Sequence, residues 1–413
     1  MIRRIISKLL FHAYAGVVGT SINDHLKKIR DAHTYASLIK KEDIQIYLSK
    51  WGYNYNEWNS LPLMTKKDIS GRLPGVNPSS IHSYAYTGGS YGEPFKLPYS
   101  KERAGIRTAS FAYFNEIAGY SLGDPFLLIA AKEKPKWWQF LRNEYRFVPK
   151  DLSEQQIAET VKLLCDQQIK VIIGFPSVVY ELAAYIAENK IDHPVNAIIF
   201  TSEPTDETKR KFIKRAFGCR VTDRYSNEEV GLIAQQREFG GVYYTNRYNV
   251  LVEILGDDNL PVAAGEAGKV VVTDLKADLV PIVRYDTGDI AVAHEYKEGQ
   301  LMSLSAISGR TTEMIYNAEG NSIAALSLGP LIHKPLTERN FYNQFQFAQV
   351  GEKHYELRVK SGTQIPVQIL DEIKGNLLKV LGVKAIVDIL MVEDIKPQKS
   401  GKRPIYKNEW KRQ

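Results

Sequence analysis

Between residues 151 and 225 the apolar positions switch period in a regular way. Ser153 with Gln156 sets up a capping box, so a helix is expected through about Cys165. The apolar run KVIIGF at 170–175 reads as a strand, and Pro176 follows where a first helical turn tolerates it. SVVYELAAYIAENK continues as a helix, and AIIFTS at 197–202 is the next strand. A helix over 205–217, closed by Gly218, leads into a strand over CRVTDRY at 219–225. Strands and helices alternating at this spacing predict a parallel sheet covered by helices.

After about residue 240 the pattern changes. VLVEIL, KVVVTDL, PIVRYD and LMSLSAI predict short strands separated by Gly, Asp, Asn and Pro turns, a meandering β region. Further on, HYELRVK predicts a strand, IPVQILDEIKGNLLKVLG a helix and AIVDILMV another strand. That is an α+β module of roughly 100 residues, enough to fold by itself. The expected class is therefore α/β. A large N-terminal domain over 1–310 would hold the helix-covered parallel sheet and the β-rich region, and a small α+β C-terminal domain would span 311–413.

At the N-terminus Ile2, Ile5, Ile6, Leu9 and Ala13 recur at helical spacing, with Arg3, Arg4 and Lys8 on other faces. Two readings stay open: a helix packed on its own domain, or one making weak contact with an anionic membrane surface. His12 interrupts the apolar run too early for a signal peptide. No run approaches the roughly 20 apolar residues of a membrane-spanning helix.

Composition adds bounds rather than a function. A chain of 413 residues suggests two to three domains, and 44% hydrophobic with 24% charged residues excludes a disordered chain. Lys plus Arg exceeds Asp plus Glu by 54 − 47 = +7, which suits anionic small molecules and gives no argument for nucleic acid. Cys165 and Cys219 are the only cysteines, too few and too far apart for a thiolate zinc site or a disulfide framework. The eight histidines show no metal-ligand spacing, so protein-held zinc is not expected. This usage suits a reducing cytosol, with the inner face of the membrane as a peripheral location under the second reading of the first helix.

Residues 86–96 read YTGGSYGEPFK. Gly88, Gly89 and Gly92 clear side chains so that backbone N–H groups can surround phosphate oxygens. Thr87 and Ser90 add hydroxyl donors, and Lys96 adds positive charge. Taken alone such a loop is an ordinary turn, and it matches neither the Walker nor the dinucleotide glycine pattern. In YSNEE the Tyr225 ring offers a flat face for stacking, and a carboxylate such as Glu229 offers oxygen to a hard cation. Asp289, in RYDTGD, is a carboxylate able to accept two hydrogen bonds, although TGD by itself is a common turn.

At these residues the chain resembles the adenylate-forming ligase superfamily, in its phenylacetate–CoA ligase-like branch. That branch includes proteins encoded with capsular and other surface-polysaccharide gene clusters. The likeness runs in order through LPLMTKKDI at 61–69, the glycine-rich loop, GFPSVVYELA at 174–183 and TSEP at 201–204. It continues through YSNEEVGLIA at 225–234, RYDTGD at 284–289, SGR at 308–310 and SGK at 400–402. The resemblance implies nucleotide contacts from Thr87, Gly88, Gly89, Ser90, Gly92, Ser202, Glu203, Pro204, Tyr225 and Arg310. It implies that Asp289 holds the ribose and that Glu229 holds Mg²⁺ on ATP. Lys402 would enter the site for adenylation, with Lys96 on the phosphate loop.

Three positions depart from the family pattern: Tyr91 and Glu228 stand where hydroxyl residues are usual, and Thr312 where the hinge Asp or Lys is usual. Glu228 is either a second metal ligand or a residue of the acyl pocket, for which Trp137, Trp138, Tyr145 and the GFPS segment are further candidates. The implied reaction uses ATP, Mg²⁺ and a carboxylic acid to form an acyl adenylate and pyrophosphate. The acyl group then passes to coenzyme A or a carrier thiol. Two alternatives remain at this point: an amine acceptor, giving an amide, and a non-catalytic scaffold.

Overall fold

The computed structural model describes residues 3–9, 22–34, 37–86, 96–130, 133–149, 153–203, 207–310, 315–320, 322–323, 328, 331–332, 335–336, 343–361, 363–396 and 406–410. The chain divides into two compact units, Met1–Ser202 with Phe212–Ile307, and Glu203–Lys211 with Ser308–Gln413.

The first unit is framed by one eleven-stranded sheet. A separate antiparallel pair, β1 (Ser83–Tyr86) and β2 (Lys96–Tyr99), precedes it. The parallel half comprises β3 (Phe126–Ile129), β4 (Glu144–Phe147), β5 (Val171–Gly174), β6 (Ala197–Thr201) and β7 (Arg220–Asn227). The meander adds β8 (Gly231–Gln236), β9 (Tyr243–Thr245), β10 (Val250–Leu255), β11 (Ala267–Asp274), β12 (Tyr285–Lys297) and β13 (Gln300–Arg310). Spatial order is β10-β11-β12-β13-β9-β8-β7-β6-β5-β3-β4, so the expected parallel and β-rich regions share one continuous sheet. Tyr225 pairs with Ala234 where the parallel half gives way to the antiparallel half.

The helices are α1 (residues 3–9), α2 (Ile22–Thr34), α3 (Lys41–Lys50), α4 (Lys66–Gly71), α5 (Lys101–Ile117), α6 (Lys136–Arg142), α7 (Glu154–Asp166), α8 (Pro176–Asn189) and α9 (Glu207–Phe217). Ser153 caps α7 by accepting from Gln156 N at 3.4 Å, and Ile157, Val161 and Leu164 are its buried stripe. Strand β5 is buried along its whole length, which is why its sequence is a continuous apolar run instead of an alternation. Helix α5 packs on α2 and β8 through Ile22, Ile29, Ala109, Phe114 and Leu232.

PIVRYD differs from expectation. Residues 281–283 form no strand; β12 begins at Tyr285 and runs straight through TGD to Lys297. Gly288, at φ +75°, absorbs the irregularity inside the strand, where the β11–β12 register shifts between Lys269 and Val271. At the other end Glu298 (φ +48°) and Gly299 (φ +79°) turn β12 into β13, both residues taking the left-handed conformation of a two-residue hairpin.

The second unit contains the short pair β14 (Ile315–Tyr316) and β15 (Ser322–Ile323). Its main sheet has four strands, β16 (Asn343–Gln349), β17 (His354–Ser361), β18 (Ile386–Met391) and β19 (Tyr406–Asn408), in the order β18-β17-β16-β19. Helix α10 (Val367–Leu381) buries Ile369, Ile373, Leu377 and Leu381, one face at four-residue spacing, in a core with Phe345, Phe347, Tyr355 and Leu357. A large α/β unit and a small α+β unit are the expected classes. Among the described residues no helix is long and apolar enough to cross a membrane.

Candidate active site

Strands β5, β6 and β7 are adjacent and parallel, with Gly174 level with Phe200 and Thr201 level with Arg224. The residues that follow each strand, from GFPS, TSEP and YSNEE, therefore emerge at the carboxyl edge, where open α/β sheets take ligands. Gly174 is forced by packing: a Cβ there would stand 2.4 Å from Ile129 Cβ on β3. Ser202 adopts φ +72° at the end of β6 and is exposed, with its Oγ 3.0 Å from Thr201 Oγ1. A non-glycine residue held in that conformation costs about 1 kcal/mol or more, the kind of strain that clusters at ligand sites. Glu203 is buried and groups with the second unit.

Tyr225 sits in the apolar core of the first unit, only 9% exposed, and its hydroxyl donates to Asp289 Oδ2 at 2.6 Å. The same hydroxyl lies 3.2 Å from Thr287 Oγ1, which donates to Val270 O and accepts from Asp289 N. The bulge at Gly288 is thus pinned by Thr287, and it aims Asp289 at Tyr225. Burial, and then the negative charge of Asp289, push the Tyr225 phenol well above its ordinary pKa, so it stays a proton donor to the carboxylate.

Glu229 follows the end of β7 and is 4% exposed. Its Oε1 meets the ammonium of Lys66 at 3.1 Å and accepts no directed hydrogen bond. Lys66 owes its position to local chemistry. Thr65 accepts from Asp68 N at 3.4 Å, and Asp68 Oδ2 accepts from Thr65 N at 2.7 Å, a capping box that starts α4 with Lys66 as its first residue. The preceding Met64 is stitched to the RYDTGD segment, donating to Arg284 O and accepting from Asp286 N, both at 3.0 Å. Two stretches far apart in sequence are thereby held side by side.

Arg284 secures that junction. It is fully buried and donates to Glu253 at 3.3 Å and to the carbonyls of Trp58, Asn59 and Leu61 at 3.0, 3.2 and 3.0 Å. Glu253 also accepts from Trp58 Nε1 at 3.0 Å. Burial pushes the Glu253 carboxyl above the usual range, against the opposing pull of Arg284. The arginine of RYDTGD is a clamp on residues 58–61, which lead into α4.

Glu228 takes a different environment from Glu229. Its carbonyl accepts from Tyr99 Oη at 2.5 Å and from Arg107 Nη1 at 3.1 Å. Its carboxylate, 54% exposed, lies 3.8 Å from Arg107 Nη2. Gly231, at φ +93°, leaves room for this arginine, since a Cβ would stand 3.1 Å from Arg107 Nη1. Lys96 is exposed and pairs with Tyr86 across β1 and β2, at the base of the glycine-rich loop.

Thr87, Gly88, Gly89, Ser90, Tyr91, Gly92, Pro204, Thr312 and Lys402 lie outside the described residues, as does the side chain of Arg310 at the end of β13. Of the expected site, Tyr225 and Asp289 are in direct contact, and Glu229 is brought to Lys66. Sequence reading missed Lys66, Thr287 and Arg107. The signals for Lys66 were its place in LPLMTKKDI and the T-K-K-D capping pattern. Tyr145, on the edge strand β4, accepts from Arg3 at 2.5 Å and donates to Gln167 at 2.8 Å. Among the described residues no three His, Cys, Asp or Glu side chains converge on a metal position. Glu229, a buried carboxylate oxygen without a directed donor, fits a cation whose remaining ligands are phosphate oxygens and water.

No family model matches the chain. It is 22% identical over 330 residues to protein CapK of Staphylococcus aureus, covering 75% of this chain and 70% of that protein. It is 25% identical over 173 residues to phenylacetate–coenzyme A ligase of Pseudomonas putida, covering 40% of this chain and 39% of the ligase. Among solved structures, 2-hydroxyisobutyryl-CoA ligase in the postadenylation state with R3-HIB-AMP superposes at a TM-score of 0.68, with 17% identity over 93% of this chain and 88% of that one. The amide bond synthetase McbA from Marinactinospora thermotolerans gives 0.54, with 16% identity over 80% of this chain and 68% of that one. These likenesses show that the chain has the fold of the adenylate-forming ligases. The curated relatives resemble the chain, at 22% and 25% identity, in keeping with the phenylacetate–CoA ligase-like branch of that superfamily.

Proposed function

We propose that the chain activates a carboxylic acid with ATP, forming an acyl adenylate and pyrophosphate, and then passes the acyl group to coenzyme A or a carrier thiol. The observation that carries this reading is the Tyr225–Asp289 contact beside the carboxyl edge of the parallel strands. Asp289 receives the ribose hydroxyls, and Tyr225, by donating to one carboxylate oxygen, keeps it ionised and oriented. Thr87, Gly88, Gly89, Ser90 and Gly92 enclose the phosphates, with Lys96 adding charge at the base of that loop. Ser202, Glu203, Pro204 and Arg310 complete the nucleotide contacts.

Glu229 would hold Mg²⁺, which when bound neutralises phosphate charge; Lys66 balances the Glu229 carboxylate otherwise. Adenylation concentrates negative charge as the acid meets the α-phosphate, and Lys402 stabilises that charge from the C-terminal domain. Domain 311–413 turns about Thr312 between the two half-reactions, removing Lys402 and admitting the acceptor. The polysaccharide-linked members of the branch support a place in surface-polysaccharide biosynthesis. Similarity to an amide bond synthetase supports a second reading, in which the acceptor is an amine.

Acid-dependent exchange of labelled pyrophosphate into ATP, with hydroxylamine trapping of the activated acyl group, tests the first half-reaction across aryl, fatty, amino and hydroxy acids. Protein that binds ATP and exchanges with none of them is a scaffold, and the proposal fails.

A further inference from the structure

Helix α1 turns the wrong side outward for a helix packed on its own domain. Ser7 is buried, and Arg3, one turn earlier, reaches into the protein: it donates to Tyr145 and lies over the rings of Phe140 and Tyr145, 4.7 Å from each centroid. Ile5 and Leu9, also one turn apart, lie on the opposite face and are 50% and 63% exposed. Burying such a pair is the ordinary outcome for an amphipathic helix, so its exposure marks an interaction face.

The neighbouring helix α6 repeats the pattern. Arg3 ties the two helices through Phe140 and the carbonyl of Gln139. On α6 Gln139 is buried, whereas Trp137 and Phe140, spaced as on one helical face, are 63% and 46% exposed. The charges on the two helices are basic. Lys8, Lys134, Lys136 and Arg142 are exposed, as is Arg4, whose guanidinium meets Asp124 at 2.9 Å. Among these elements Glu133 is the exposed acid, and Glu144 is buried under Arg142 and Arg146.

We infer that α1 and α6 together form a docking surface for an anionic lipid bilayer. Aliphatic and aromatic side chains exposed on two short helices that also carry exposed lysine and arginine are what a headgroup region accepts: the apolar groups enter the acyl boundary and the long cationic chains stay at the phosphates. The charge excess is what selects a bilayer over a second copy of the chain, because two such faces would bring like charges together. The inference stands whether or not the adenylation reading holds.

Sedimentation of the full chain with phosphatidylcholine vesicles, with and without phosphatidylglycerol, tests it. Binding is expected to vesicles containing phosphatidylglycerol and to weaken steeply with salt. The pair Ile5→Asp and Leu9→Asp should lower the bound fraction about tenfold or more without lowering the melting temperature, since both residues are exposed. Lys8→Glu with Lys136→Glu should abolish the preference for phosphatidylglycerol. Trp137→Phe should remove any blue shift in tryptophan emission on vesicle addition. No vesicle binding, or equal binding to neutral and anionic vesicles, overturns the proposal. So does a protein dimer that Ile5→Asp with Leu9→Asp dissociates and vesicles leave unchanged, which would make the covering partner a second copy.

Discussion

Tyr225 Oη and Asp289 Oδ2 lie 2.6 Å apart, joining the strand where the sheet stops being parallel to the bulged strand of its antiparallel half. The contact makes a buried phenol the support of a half-buried carboxylate. In the proposed function their roles differ: the carboxylate would meet the nucleotide, and the phenol would act through it.

Asp289→Ala should therefore weaken ATP binding by about 1–3 kcal/mol, the cost of losing a charged acceptor. Tyr225→Phe should cost less, about 0.5–1.5 kcal/mol, because only the orientation of Asp289 is lost. In the Asp289→Ala background the Tyr225→Phe change should add almost nothing to the loss of affinity, since the two act as one unit. Calorimetric titration of ATP into the four proteins of the cycle reads this directly. Wild-type affinity in a folded Asp289→Ala protein would remove the residue from the site.

How these residues came to be visible in sequence, or not, follows from the range of the interactions. The helix after Ser153 and the strand KVIIGF were legible because a cap and a buried apolar run act locally. TGD was misleading: its composition says turn, and only pairing with β11 shows that Gly288 serves as a bulge inside a strand. Helix α5 carries Gly105 and an irregular apolar pattern, and its burial is decided by α2 and β8, distant in sequence. Glu229 and Lys66 each lie in a recognisable motif, but their pairing could not be read from either, because what joins them is the stitching of Met64 to Arg284 and Asp286.

Lys66 and Glu229 give the second prediction. Glu229→Gln should shift the Mg²⁺ requirement of pyrophosphate exchange upward, a neutral amide being the poorer ligand for a hard cation. Lys66→Met leaves a nearly buried carboxylate without its counter-charge, so it should lower stability by about 1–3 kcal/mol in urea unfolding. Added Mg²⁺ should restore part of that loss. A magnesium titration identical to wild type for Glu229→Gln would refute the metal assignment and direct attention to Glu228.

Arg284 should behave as architecture. Arg284→Leu deserts the Glu253 carboxylate and four backbone carbonyls at once. Removing one partner of a buried ion pair costs about 3–5 kcal/mol, and the loss should appear in the urea midpoint. Adding Glu253→Gln should recover some of it, because the neutral amide is cheaper to bury alone. Full stability in Arg284→Leu with lost nucleotide binding would instead make the arginine a ligand contact.

Lys402 tests the two-step mechanism as a whole. The sequence places it shortly before β19, the strand that pairs in parallel with β16 in the second unit. If it enters only for adenylation, its charge matters while the carboxylate and the α-phosphate approach, and not afterwards. Lys402→Ala should depress pyrophosphate exchange by on the order of 10²-fold, the usual scale for losing one preorganised electrostatic stabiliser. Supplied with synthetic acyl adenylate and the acceptor, the same protein should complete the second step at a near-normal rate. ATP binding should change little, since in the proposed function Asp289 and the phosphate loop would provide it. If both half-reactions fall together, Lys402 serves the fold or both steps and the rotation of domain 311–413 is refuted. If neither falls, the SGK match reflects only a basic tail, and the charge on the transition state must come from another lysine.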